Sequence, residues 1–156
     1  MNERSPTSSA MPRVRIAAEC ALRGRGEVVA SCVSILQGGE PDPSLAIALG
    51  GPAAPRLLAG DSRADVELWS RVWATRGLLW ALDPSTAGDR GVAAALVTAL
   101  HDPAWRVREK AAQVVARHLV DAALADVVVL RDSDPVPRVR AAAERCVQRL
   151  TVSSRG

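Results

Sequence analysis

A chain of 156 residues with 48% hydrophobic residues, 24% charged residues and a net charge of +3 is long enough to bury a substantial core. This composition excludes collagen-like, disulfide-dense and mainly disordered chains. The longest apolar runs, such as Val127 to Leu130, fall far short of the roughly 18 residues of a membrane span, so a soluble domain is expected.

Residues 1–11 are polar and rich in Ser, Thr and Pro, which predicts a disordered lead-in. Helices are then predicted at 12–23, 27–37, 43–49, 53–59, 65–82, 89–100, 103–119, 121–131 and 135–151, with no alternating pattern that asks for a strand. They form one domain over 12–151, followed by a flexible tail at 152–156. Asp42-Pro43, Asp83-Pro84, Asp102-Pro103 and Asp134-Pro135 each read as a helix start. Asp at the N-cap accepts from unpaired backbone N–H groups, and Pro at N1 gives up a donor that has no partner. The 28 alanines, with no Phe and no Tyr, favour helices at close approach. Cys20, Cys32 and Cys146 lack metal or redox spacing and residues 1–20 lack a secretory core, which predicts a reducing cytoplasm.

The chain repeats itself. Residues 102–118 and 134–150 match at 8 of 17 positions at an offset of 32, and the helices ahead of them align at the same offset, so the repeating unit is a helix pair. Residues 12–22 match residues 137–147 at 7 of 11 positions, so the first helix reads as the second member of a pair. The segment around Arg71-Val72 fits more loosely at an offset of 35, with Gly77 on Ala112 and Leu79 on Val114.

Asp-Pro followed by Val-Arg and an Ala-rich helix in units of this length resembles the HEAT repeat family, in its short bacterial form that includes the PBS-lyase-type repeats. Asp102, Val107 and Arg108 match the signature, as do Asp134, Val139 and Arg140. The resemblance implies an all-α solenoid of stacked antiparallel helix pairs, about four to five units with degenerate repeats towards the N-terminus. It also implies that Asp102, Asp134, Arg108 and Arg140 serve a structural hydrogen-bond ladder, and that the second helices line a concave surface.

Candidate sites follow from charge and periodicity. Residues 103–156 carry ten basic and six acidic groups, against five and nine over 27–102. On helical wheels Arg106, Glu109, Lys110, Gln113 and Arg117 of one second helix, and Arg138, Arg145 and Arg149 of another, point away from the core. Placed on the concave surface they form a basic strip, extended by Arg71, Leu78 and Leu82 through the looser alignment. Trp69, Trp73 and Trp80 share a stripe with Arg76, open to two readings: core, or an aromatic groove. His118 lies on an apolar stripe and is expected as a buried structural imidazole, and His101 as a solvated turn residue. There is no phosphate loop, nucleophile elbow or metal-ligand cluster, so neither catalysis, nor a cofactor, nor a metal is expected.

The function expected is therefore a non-enzymatic scaffold whose basic and apolar strip binds a protein partner. The alternatives are nucleic-acid binding in a groove like that of HEAT-like DNA glycosylases, and a lyase- or chaperone-like accessory role. The unpaired first helix also allows a homodimer through the N-terminal repeat face; no membrane partner is expected.

Overall fold

The computed structural model describes residues 11–60 and 62–156, and the lead-in expected over 1–11 lies outside them apart from Met11. The described residues form helices joined by turns, without a strand: α1 (Pro12–Arg23), α2 (Arg25–Leu36), α3 (Pro43–Gly50), α4 (Ala54–Leu58), α5 (Arg63–Ala81), α6 (Arg90–Leu100), α7 (Trp105–His118), α8 (Leu124–Ser133) and α9 (Pro137–Ser153). Helix α9 runs past the expected end at 151, so the tail begins later. No described helix is long and apolar enough to cross a membrane. The chain divides into two compact units, Met1–Ala81 and Leu82–Gly156.

In the first unit α5 is the central element, packed by α1, α2 and α3. Trp73, Leu78 and Ala74 of α5 are buried with Ile16, Val28, Cys32, Leu45 and Leu49. Gly77 makes this packing possible: a Cβ there would lie 2.5 Å from Cys32 Sγ and 2.9 Å from Leu49 Cδ2. The absent side chain lets the neighbouring helices rest on the α5 backbone. Arg15 of α1 is buried and donates from Nε to the Ala48 carbonyl at 3.1 Å, near the end of α3, where cationic side chains suit the helix dipole.

The second unit is more regular. Helix α6 packs on α7 and on α8, and α9 packs on α7 and on α8. The first members of the two pairs thus lie side by side, and so do the second members. Val107, Ala111, Val114 and Val115 of α7 are buried, as are Val139, Ala143, Cys146 and Leu150 of α9.

The Asp-Pro pairs behave in three ways. Asp42 caps α3 as predicted, its Oδ1 accepting from the backbone N–H of Ser44 at 2.8 Å and of Leu45 at 3.1 Å. The Ser44 hydroxyl also donates to this oxygen, and it leads these bonds in bringing the carboxyl down to about 2. Asp83 starts no helix. It closes a turn by accepting from the backbone of Ser85 and Thr86, and α6 waits for Asp89, which caps Gly91 and Val92. Asp102 and Asp134 accept from the residue two positions on, Ala104 at 2.8 Å and Val136 at 2.9 Å, and their helices begin at Trp105 and Pro137. The Pro137 ring biases Val136 towards extended backbone, which delays the helix.

All three cysteines are buried free thiols. Burial pushes Cys32 up to about 12 and Cys146 up to about 11, and also raises Cys20.

Candidate functional site

The basic residues of the second unit lie on the two adjacent helices α7 and α9. Arg106, Arg117, Arg138, Arg145 and Arg149 are exposed, while Lys110 and Gln113 are half-buried. The row is braced by polar contacts. Arg138 donates from Nε to Glu109 Oε1 at 3.3 Å, Lys110 donates from Nζ to Gln113 Oε1 at 2.9 Å, and Arg149 donates from Nε to the Ala116 carbonyl at 3.1 Å. Two of these contacts, those of Arg138 and Arg149, tie α9 to α7.

Trp105 joins this surface. Its ring lies 4.5 Å from the Arg106 guanidinium carbon and 5.5 Å from that of Arg138, within the range of cation–π attraction. A place in the first turn of α7 does not by itself reveal this contact. The signal that could have found it is its adjacency to Arg106 together with the repeat register, which aligns Trp105 with Pro137, the neighbour of Arg138. Towards the C-terminal end Arg145, Gln148, Arg149, Val152 and Leu119 line a hollow of about 540 Å³. Val152 is 73% exposed there, so the cations border apolar surface.

Beneath the strip lie the signature residues. Val107 and Val139 are fully buried. Arg108 donates from Nε to Asp134 Oδ2 at 2.7 Å and from Nη2 to Oδ1 at 3.1 Å, a bidentate pair joining one helix pair to the next. Its Nη1 also donates to the Asp102 and Pro103 carbonyls, at 2.9 and 3.0 Å, and Arg140 repeats that contact on the Asp134 carbonyl at 2.6 Å. Burial pushes the Asp134 carboxyl up, but the Arg108 and Val136 hydrogen bonds outweigh it and leave the group below the usual carboxylate range.

Two expectations are corrected. Leu78 and Leu82 are buried, 0% and 5% exposed, so neither can extend an exposed strip; the loose alignment at offset 35 does not carry the helix phase that far. His118 is half-buried and lines a hollow with Pro84, Ala93, Arg117 and Val120, because α7 ends there and the left-handed Leu119 turns the chain away. His101 sits exposed in a turn as expected, and its Nε2 also lies 2.7 Å from Asp126 Oδ1.

In the first unit the tryptophan stripe divides: Trp73 is 3% exposed, whereas Trp69, Trp80 and Arg76 are half-buried. Burial, and then the charge of Arg15, lower the Arg76 guanidinium. Arg71 lines a cleft of about 440 Å³ between the end of α2 and the start of α5, with Ile35, Leu58 and Val66 as its apolar wall. Ser70, also on that wall, has an enclosed Oγ without a hydrogen-bond partner among the described residues.

Among the described residues no three His, Cys, Asp or Glu side chains are grouped so as to hold a metal ion. No protein-family model matches the chain, and no curated protein or solved structure matches it.

Proposed function

We propose that this chain is a HEAT-like helical-repeat scaffold that captures an acidic segment of a protein partner on the α7–α9 face, without catalysis. One observation carries this reading: five exposed arginines and Lys110 lie on two adjacent helices, Arg138 and Arg149 reaching across to Glu109 and the Ala116 carbonyl, with apolar Val152 and Leu119 at the border. The two braced arginines lose less side-chain freedom on binding than mobile ones would, and the rim of charge sets orientation and on-rate. The paired helices of the second unit and the Arg108–Asp134 bridge support the repeat reading, and three unpaired buried thiols suit a reducing compartment.

The test is capture of partners from native lysate by the tagged chain, with and without nuclease, alongside a variant carrying Arg106→Glu, Arg117→Glu, Arg145→Glu and Arg149→Glu. A stoichiometric protein that survives nuclease and is lost in the variant, with helicity unchanged, is the expected result. Retained capture by the variant moves the site elsewhere. A second reading, nucleic acid, draws on Trp105 beside two arginines. Duplex affinity falling steeply with salt is its signature, and capture lost on nuclease treatment would favour it.

A further inference from the structure

A Ser or Thr hydroxyl inside a helix can donate to a carbonyl three or four residues back. Thr75, Thr98, Ser133 and Thr151 each do so here. Ser70, within α5, is only 4% exposed, yet its Oγ has taken no such bond and has no partner among the described residues. A buried hydroxyl left unpaired costs free energy that a methyl group at the same place would not. Its position supplies a reason for the exception: Ser70 lies on the wall of the cleft of about 440 Å³ between the end of α2 and the start of α5.

The rest of that wall suits an apolar body. Ile35 of α2 is buried, and Pro41, Leu58 of α4 and Val66 of α5 are half-buried. The mouth carries balanced charge. Arg63 donates from Nε to Glu67 Oε1 at 2.8 Å, and its Nη2 lies 4.0 Å from Oε1 of Glu40, which follows α2. With Arg71 the rim holds two cations and two carboxylates, so it favours neither an anion nor a cation. A volume of this size, a mostly apolar lining and one placed polar group are the ordinary makings of a small-molecule site. We infer that this cleft binds a small uncharged molecule, an apolar body carrying one hydroxyl or carbonyl, with Ser70 Oγ as its hydrogen-bond partner. A serine hydroxyl both donates and accepts, so either group meets it. The Oγ is enclosed in the ligand-free chain, and the ligand reaches it as the half-buried members of the wall part towards solvent. The site belongs to the first unit and stands whatever the α7–α9 face binds.

The experiment titrates the whole chain with benzyl alcohol and with toluene, which lacks the hydroxyl, and follows the backbone amides of residues 35–40 and 63–71 by NMR. Saturable shifts of these amides are expected with both probes. In Ser70→Ala the affinity for benzyl alcohol relative to toluene should fall about fivefold, with Tm unchanged or higher. An unchanged ratio overturns the proposal and leaves Ser70 to a buried water. Absence of saturation with benzyl alcohol up to its solubility limit overturns it too, as do saturable shifts confined to other parts of the chain. Tighter binding of benzoate or benzylammonium than of benzyl alcohol overturns it in favour of a charged ligand.

Discussion

The two units solve one packing problem with different chemistry. In α7 the position after Val107 is Arg108, which reaches Asp134 of the next helix pair. At the matching position of α5, 35 residues earlier, stands Trp73, 3% exposed. Ala112 of α7 is likewise replaced by Gly77, over which Cys32 and Leu49 close. An ion pair between successive turns can recur with every repeat, since each helix pair offers the same donor and acceptor. A buried indole meeting a missing side chain fits one place only, and the first unit carries less of the sequence pattern seen in the second.

The sharpest way to break this comparison is one substitution at three equivalent positions. Val107→Asp and Val139→Asp each place an unpaired carboxylate at a fully buried site, and each should cost more than about 4 kcal/mol and abolish cooperative melting. Val14→Asp, at the matching position of α1, where Val14 is 51% exposed, should stay within about 0.5 kcal/mol of the parent. Equal damage in all three by thermal melting would mean that α1 is buried in solution.

Next in size is Asp134→Ala, which strands Arg108, whose side chain is only 12% exposed; a loss of about 3 kcal/mol is expected in denaturant melts. The pH dependence has a definite sign. The folded carboxyl lies below its ordinary 3.8, so the bridge contributes fully above that value and is lost as pH falls through the lower folded value. Asp134→Asn should remove this acid-side loss from the second unit, while the first unit, whose Asp42 titrates near 2, keeps its own. Coincident acid curves for parent and variant would show that the bridge does not contribute.

Gly77→Ala sharpens the other half. Helix propensity alone favours Ala by about 1 kcal/mol, yet the new methyl meets Cys32 Sγ at 2.5 Å, and overpacking should leave a net loss of roughly 1–2 kcal/mol. A gain would mean that α2 and α3 can recede from α5. The smallest effect is at Leu119, which closes α7 in the left-handed region at φ 54°. Leu119→Gly should raise stability by about 0.5–1 kcal/mol, read as a higher Tm.

Much of the helical plan was legible because the apolar period and the Gly and Pro punctuation act locally. The boundary of α1 could be read to the residue, since Pro12 and Gly24 bracket it. The α7 and α9 starts were misplaced by two residues because an Asp before Pro can close a turn of its own as well as cap a helix, as Asp102 and Asp134 do. The strip on α7 and α9 was legible from charge periodicity. Leu78, Leu82 and His118 were not placed correctly, because a wheel gives direction around one helix but not which neighbours cover it, nor where that helix stops. Trp105 escaped for a similar reason: its second arginine arrives from a helix 33 residues away along the chain.

The enclosed cysteines turn the chain into its own stopwatch. A thiol held far above neutral pH and out of solvent reacts with an alkylating reagent only when its surroundings open. Cys32 lies in the first unit and Cys146 in the second, so the mass gained at each site over time times the opening of each unit separately, in one unmodified molecule. Whether the Trp73 interior or the Arg108–Asp134 bridge yields first can thus be learned without introducing a probe.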